Sequence, residues 1–177
     1  MLSRAILAAL TLGALSGSAF AQDVSVDYDK AANFAAIKTY SLKIGTAWGN
    51  PLSEKRVSDE ISQALTAKGW TKADEAGADA NVVLHGATQV KRDLNTFYTG
   101  SGYRYRWGAG VGSAHTTVSE YSVGTLVVDI FDAKSKALMF RGTASDEVSD
   151  KPEKNVKKVA KASEKMFKDF PPGSAKK

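Results

Sequence analysis

Residues 125–144 have the sequence TLVVDIFDAKSKALMFRGTA, and this stretch decides how the rest of the chain folds. Two runs rich in β-branched and aromatic residues flank the polar residues 132–136, which is the pattern of a β-hairpin. Successive side chains of a strand point to opposite faces, so the hairpin has two faces. One face is purely apolar and holds Leu126, Val128, Ile130, Leu138, Phe140, Gly142 and Ala144. Such a face must be covered by other elements of the protein.

The opposite face of the hairpin carries one acid, Asp129, and one base, Arg141. If Phe131 pairs with Ala137, then Asp129 lies opposite Met139, and Arg141 is its diagonal neighbour. Long side chains reach across such a diagonal, so we expect an ion pair that sets the register of the two strands. The alternative is that Asp129 binds a ligand or acts as a catalytic acid.

The first 21 residues have the pattern of a secretory signal peptide. A short basic start containing Arg4 precedes the apolar run 5–15, and Ala19-Phe20-Ala21 is a small-residue cleavage site. We expect cleavage after Ala21 and export to a bacterial periplasm, or to the outside of the cell. Residues 22–172 are then one domain, and residues 173–177 are a basic C-terminal tail.

Composition excludes several classes of protein. The chain has no cysteine, so neither a disulfide nor a lipidated cysteine is expected, and the core must hold the domain together. The formal net charge of +5 is small for 177 residues, so nucleic acid is not an expected partner. After the signal peptide, no stretch is apolar enough to span a membrane.

Alternating patterns predict strands at residues 23–28, 38–42 and 80–85. The third of these strands can extend to Val90, and the chain is expected to return to the sheet at residues 116–121. Asn50-Pro51 predicts the capped start of a helix over residues 51–68, and Gly69 its end. Asp150 and Pro152 predict a second capped helix, which ends at Pro171-Pro172-Gly173. The fold class is therefore α+β, with a mostly antiparallel sheet of five or six strands and two helices packed on one face.

The segment between residues 97 and 114 is rich in glycine and contains five aromatic residues, two arginines and no acid. Dense glycine weakens regular structure, so the segment is expected to be a loop or an irregular hairpin tip. Its aromatic and basic residues alternate, and together they are the candidate binding residues Tyr103, Arg104, Tyr105, Arg106 and Trp107. Aromatic rings stack on sugars, and guanidinium groups bind carboxylate or phosphate. The alternative is that the rings pack back on the sheet.

Catalytic and metal-binding motifs are not recognisable in the sequence. His85 and His115, the only histidines, do not have the spacing of a metal site, so we expect neither a metal nor another cofactor. Gly100-Ser101-Gly102 does not fit the nucleophile-elbow pattern. Several carboxylates follow or precede the hairpin turn, and they leave open a hydrolase that uses a carboxylate pair.

In several short motifs the chain resembles the DUF4136 family, a domain of unknown function. These motifs are Val26-Asp27-Tyr28-Asp29, Phe34, Lys38-Thr39-Tyr40, the run 124–132, Arg141-Gly142 and the helix end 166–172. Their order and spacing cover nearly the whole chain after the signal peptide. The resemblance implies a place in the bacterial envelope.

Three functions remain open from the sequence. The first, which we favour, is a non-enzymatic periplasmic domain that binds or scaffolds an envelope polymer or an envelope protein. The second is a carboxylate-dependent envelope hydrolase. The third is a peripheral protein held on anionic envelope surfaces by the lysine-rich helix between residues 151 and 168.

Overall fold

A computed structural model describes the backbone of residues 22–99 and 113–172, and the side chains of all of these except 93–99 and 113–118. The chain forms β1 (Asp23–Tyr28), β2 (Thr39–Thr46), α1 (Pro51–Ala67), β3 (Thr71–Lys72), β4 (Ala80–Thr99), β5 (Ser113–Asp132), β6 (Leu138–Glu147) and α2 (Pro152–Met166). Short 3-10 turns lie at Phe34–Ala36 and Glu75–Gly77. No helix in the described part of the chain has the length and apolar character needed to cross a membrane.

The strands form one six-stranded sheet in the order β1-β6-β5-β4-β2-β3. The α+β prediction is confirmed, but the prediction of a mostly antiparallel sheet is only partly right. β1, β6, β5 and β4 pair antiparallel, whereas β2 pairs parallel with both β4 and β3. Parallel neighbours need a crossover connection, and α1 supplies it by carrying the chain from the end of β2 back to the start of β3 and β4.

One carboxylate fixes the start of this parallel pairing. Asp79 Oδ2 accepts hydrogen bonds from Lys38 N (3.0 Å), Thr39 N (3.0 Å) and Thr39 Oγ1 (2.9 Å). These donors, the backbone amides first, hold the pKa of Asp79 below its usual range. The β2 and β4 strands therefore begin side by side because a side chain at the start of one binds the backbone of the other.

α1 begins and ends as the sequence predicts, within one residue. Asn50 Oδ1 accepts a hydrogen bond from Ser53 N at 3.0 Å, and Pro51 is the first helical residue. Gly69 has a φ of +87°, and Trp70 N then donates to Leu65 O at 3.1 Å, which turns the chain back over the last turn. The buried stripe consists of Val57, Ile61 and Leu65.

α2 starts differently from the prediction, because Asp150 does not cap it. The residue before the helix is Lys151, and its side chain makes no capping bond. Asn155, inside the first turns, instead accepts from Ser149 N at 2.8 Å and donates to Ser149 O at 2.7 Å. The helix ends at Met166. Its buried residues are Ala162, Ser163 and Met166, and the residues Phe167 and Phe170 just after it are also buried. The apolar pattern of the sequence also includes Val156, Val159 and Ala160, which are only partly buried.

The hairpin of residues 125–144 is present, with one change of register. Ile130 pairs with Phe140 and Phe131 pairs with Leu138, so Met139 is an extra residue in a β-bulge. The bulge moves Leu138 off the apolar face, where the sequence predicted it, and leaves it 39% exposed. Phe140 stays on the apolar face, as predicted, and it is only 1% exposed beneath α2.

An aromatic cluster fills the core where the two helices end. The ring of Phe140 stacks on that of Phe167, with 5.7 Å between the ring centroids, and Phe170 lies edge-on to Phe140 at a centroid distance of 5.3 Å. Phe170 also contacts Trp70, which follows α1, at 5.0 Å, and Phe34 at 5.8 Å. The cluster thus joins β6, both helix ends and the segment between β1 and β2.

We predict that Phe140→Ala costs about 3–5 kcal/mol of unfolding free energy, because it removes a buried ring and leaves a cavity under α2. Denaturant unfolding measures this loss. Leu138→Ala is the matched control on the same strand and should cost about 1 kcal/mol or less, since Leu138 is partly exposed. Equal losses for the two variants would contradict the bulged register.

Candidate functional site

The two helices cover only one face of the sheet, and the other face carries the predicted ion pair. Asp129 and Arg141 lie on this open face, in β5 and β6. They are directly opposite each other in the register, not diagonal as the sequence predicted. Two shifts of one residue each account for this: Phe131 pairs with Leu138 and not with Ala137, and the bulge at Met139 adds the second shift.

The pair is bidentate. Arg141 Nε donates to Asp129 Oδ1 and Arg141 Nη2 donates to Asp129 Oδ2, both at 2.7 Å. The hydrogen bonds to Asp129, followed by its charge, raise the pKa of Arg141 above its ordinary value. The side chain of Asp129 is 3% exposed and that of Arg141 is 52% exposed, so the arginine shields the carboxylate from water.

His85 reaches the same carboxylate, a proximity that the sequence did not indicate. Its Nε2 lies 3.9 Å from Asp129 Oδ2, and its Nδ1 shares a hydrogen bond of 2.9 Å with Thr46 Oγ1. The ring has room because residue 45 is glycine; a Cβ there would overlap the ring. Thr46 is placed beside His85 by the parallel pairing of β2 with β4, in which the two residues are partners.

A hydroxyl, an imidazole and a carboxylate in this order have the composition of a catalytic triad, but the geometry is not that of one. A triad carboxylate must accept a hydrogen bond from the imidazole, and 3.9 Å is too long for that bond. Both oxygens of Asp129 are already bound by Arg141. The arrangement therefore fits a structural ion pair better than a catalytic acid or base.

Other acids near the hairpin also have structural partners. Asp132 Oδ1 accepts from Ser135 N (2.7 Å), Ser135 Oγ (2.9 Å) and Lys134 N (3.0 Å), and these bonds, those from Ser135 first, lower the pKa of Asp132 and close the turn. Asp146 Oδ1 accepts from Lys158 Nζ at 2.9 Å. Among the side chains that the structure describes, no three of His, Cys, Asp or Glu are grouped so that they could hold a metal ion.

The second feature of interest is a two-stranded extension of β4 and β5 beyond the rest of the sheet. β2 pairs with β4 only as far as His85, and β6 pairs with β5 only from Val123 onward. Residues 91–99 and 113–121, named the arm below, pair only with each other in the described sheet. At about 3.3 Å per residue, the arm extends roughly 30 Å.

Most of the described side chains at the base of the arm are exposed, and Tyr121 is partly buried. Lys91, Arg92, Ser119 and Glu120 are all exposed, and Val90, just before the arm, is 66% exposed. Arg92 Nε donates to Glu120 Oε1 across the strands at 2.7 Å. Strand β4 is thus much longer than the predicted 80–90, and β5 begins before the predicted residue 116. The candidate binding residues Tyr103, Arg104, Tyr105, Arg106 and Trp107 lie outside the described residues, in the connection that follows the arm.

The sequence profile of the family described as "Domain of unknown function (DUF4136)" matches residues 24–172. The chain is therefore a member of the DUF4136 family, as its motifs indicated. A search of curated proteins gave no match.

Solved structures resemble the chain at low sequence identity. A PDZ domain protein from Parabacteroides distasonis has a TM-score of 0.53 and 15% identity, over 87% of this chain and 37% of that protein. The PelC dodecamer from Paraburkholderia phytofirmans has a TM-score of 0.47 and 13% identity, over 80% of this chain and 94% of that one. A putative neuraminyllactose-binding hemagglutinin homolog from Helicobacter pylori has a TM-score of 0.39 and 15% identity, over 77% of this chain and 87% of that one. At such identities the first of these resemblances supports the fold alone.

We predict that Arg141→Ala destabilises the protein by about 2–3 kcal/mol, because it leaves the buried Asp129 carboxylate without its donors. The loss is smaller than for a fully buried pair, since water can reach the half-exposed arginine site. Asp129→Asn should cost about 1 kcal/mol, because the guanidinium can turn to solvent. Denaturant melts of both variants measure the asymmetry. A larger loss for Asp129→Asn would contradict the structural role assigned to Arg141.

Proposed function

We propose that the protein is a non-enzymatic binding or scaffolding domain of the bacterial cell envelope, and that the arm carries its binding surface. The observation that supports this proposal best is the pairing of the arm, whose two strands have no third strand beside them in the described sheet. Two-stranded ribbons are marginally stable in water, and their outer edges expose unpaired backbone groups. An arm of roughly 30 Å adds little to the core, so contact with a partner is the better explanation for its presence.

The side-chain interactions described within the arm contribute little to its stability. The Arg92–Glu120 pair is exposed on both sides, and exposed pairs contribute about 0–1 kcal/mol. Val90 shields little apolar surface, because it is itself 66% exposed.

The residues that join the two strands of the arm have the chemistry of a binding surface. We propose that Tyr103, Tyr105 and Trp107 stack on sugar rings, while Arg104 and Arg106 bind carboxylate or phosphate. No acid lies between Leu94 and Ser119 in the sequence, so these arginines have no carboxylate close along the chain. An anionic, sugar-containing envelope polymer satisfies both requirements.

Export is part of the same proposal. Cleavage of the signal peptide after Ala21 would deliver residues 22–177 to the periplasm, where envelope polymers are accessible. The motifs shared with the DUF4136 family support the same compartment. The hydrolase alternative is weaker, since Asp129, Asp132 and Asp146 each have a structural partner.

A second candidate function has its own observation. α2 and the residues on either side of it present the lysines 151, 154, 157, 161, 165 and 168, all of them exposed. Lys158, on the same helix, is instead partly buried and paired with Asp146. A basic helix face is suited to anionic envelope surfaces, to which each lysine adds about 1 kcal/mol near the surface.

We predict that replacing both Arg104 and Arg106 with alanine weakens binding to isolated envelope material by about a hundredfold or more, since each lost bond to a charged group contributes about 1.5–3 kcal/mol. The melting midpoint should change little, because the arm stands apart from the core. The salt dependence of binding should also weaken. Co-sedimentation with purified peptidoglycan and outer-membrane fragments measures the binding.

The matched control is Lys30→Ala with Lys72→Ala, which removes the same charge from two exposed sites elsewhere. The control should bind as the unmodified protein does. If both double variants lose binding equally, net charge and not the arm is responsible, and the basic-helix function is favoured. If the arginine variant unfolds more easily and binds normally, the arm belongs to the fold.

A further inference from the structure

A cleft opens between the N-terminal halves of α1 and α2, on the helix-covered face of the sheet. Its volume is about 380 Å³, which is within the range of small-molecule sites. The helices meet at their other ends, where Lys68 Nζ donates to Lys168 O at 3.1 Å and Trp70 contacts Phe170 at 5.0 Å. The cleft is lined at its inner end by Val57, Ala144 and Ala162, and it opens toward the end from which the arm extends.

The cleft exists because its floor is made of small residues. Gly86, Gly124 and Ala144 line it where β4, β5 and β6 pass beneath the helices. The ring of Trp48 lies on Gly86, and a Cβ at that position would overlap the ring. A Cβ at residue 124 would come within 3.0 Å of Val148 Cγ2. Larger residues at either glycine would displace a wall of the cleft, so these glycines help to maintain its shape.

The walls of the cleft are mostly apolar. They include Trp48, Val57, Leu126, Val148, Val156 and Val159. Trp48 is held as part of the wall by a hydrogen bond from its Nε1 to Ser53 Oγ at 3.3 Å. An apolar interior of this kind favours a hydrocarbon group over a sugar or a nucleotide.

One buried polar atom at the cleft has no partner in the described structure. Gln22, which lines the cleft, donates from Nε2 to Lys158 O at 2.7 Å, but its buried Oε1 accepts no hydrogen bond. Buried polar atoms are nearly always paired, so an unpaired acceptor suits a ligand that brings a donor.

The charged side chains at the rim of the cleft indicate which kind of ligand group would donate to Gln22 Oε1. Lys158 is already bound to Asp146 Oδ1 and to Glu147 O, at 2.9 and 2.6 Å. The remaining charged side chains that line the cleft are Arg56, Glu60, Glu147 and Asp150, and none of them is bonded within the described residues. Three free carboxylates and one free guanidinium favour a ligand whose polar headgroup carries a positive group, for the carboxylates, and a negative group, for the guanidinium. Arg56 and Glu60 are four residues apart on α1, close enough to bind two parts of one head.

We propose that this cleft binds a zwitterionic lysophospholipid: a molecule with one acyl chain and a head that carries a phosphate and an ammonium. The chain occupies the apolar interior between the helices. The ammonium lies among the carboxylates and donates toward Gln22 Oε1, and Arg56 binds the phosphate. This site is separate from the arm and does not depend on its function.

Titration calorimetry below the micellar concentration tests the proposal with two probes of identical acyl chain, lysophosphatidylethanolamine and lysophosphatidylglycerol. The ethanolamine form has the ammonium and should bind about threefold to fivefold more tightly, the equivalent of one exposed charge pair. Val156→Trp should abolish binding of both by filling the cleft. Leu52→Trp, on an exposed site of α1 outside the cleft, should leave binding unchanged. Glu60→Gln with Glu147→Gln and Asp150→Asn should remove the preference for ethanolamine while the chain still binds.

Three results would overturn the proposal: no binding of either probe, equal affinity for both probes, or unchanged binding by Val156→Trp. A melting curve shows whether that variant is folded. If it is not, Leu126→Phe fills the cleft from the sheet side and must give the same loss of binding.

Discussion

The packing of Phe170 against its aromatic neighbours is the interaction on which the rest of the structure depends. Its ring contacts Phe34, Trp70, Phe140 and Phe167 within 5.0–5.8 Å. These residues come from four separate parts of the chain, so one cluster holds the sheet, both helix ends and the β1–β2 connection together. Each aromatic pair adds about 0.5–1.5 kcal/mol beyond the burial of its area.

Because the cluster lies at one end of the helices, the molecule has a closed end and an open end. At the closed end the helices touch each other and the sheet is covered by large side chains. At the open end small floor residues leave the cleft, and β4 and β5 continue past their neighbours as the arm. Both proposed binding features therefore lie where packing is weakest, which is where a ligand or partner can be accommodated at the least loss of stability.

Much of this fold follows from local patterns. The capped start of α1 at Asn50-Pro51, its end at Gly69 and the apolar stripe of its core residues all depend on neighbours in sequence, and they are correct. The ion pair of Asp129 with Arg141 was also predictable, because a hairpin brings its two strands together whatever the rest of the chain does. Its diagonal geometry was wrong because the pairing of Phe131 with Leu138 and the bulge at Met139 each shift the register by one residue, and the apolar pattern predicts neither shift.

What the sequence does not reveal depends on contacts between distant segments. The parallel pairing of β2 with β4 depends on the path of α1, and without it His85 cannot be placed near Thr46 or Asp129. The cap wrongly predicted at Asp150 shows the same limit, since the side chain that fixes the chain before α2 is Asn155, which binds the backbone of Ser149 from inside the helix. The cleft depends on which sheet residues lie beneath which helix turn, so Gly86 and Ala144 look like ordinary strand residues until the layers are assembled.

Amide hydrogen exchange is the most direct measurement of the central claim, that the aromatic cluster stabilises a core from which the arm is independent. Amides of the central strands, at residues 82–84 and 128–130, should exchange only through global unfolding. Amides at the base of the arm, at residues 91–92 and 119–121, should exchange about a hundredfold faster or more, through local opening that leaves the core intact. If the arm amides exchange as slowly as the central strands, and slow exchange in both is lost together in denaturant, then the arm is part of the core and the central claim is wrong.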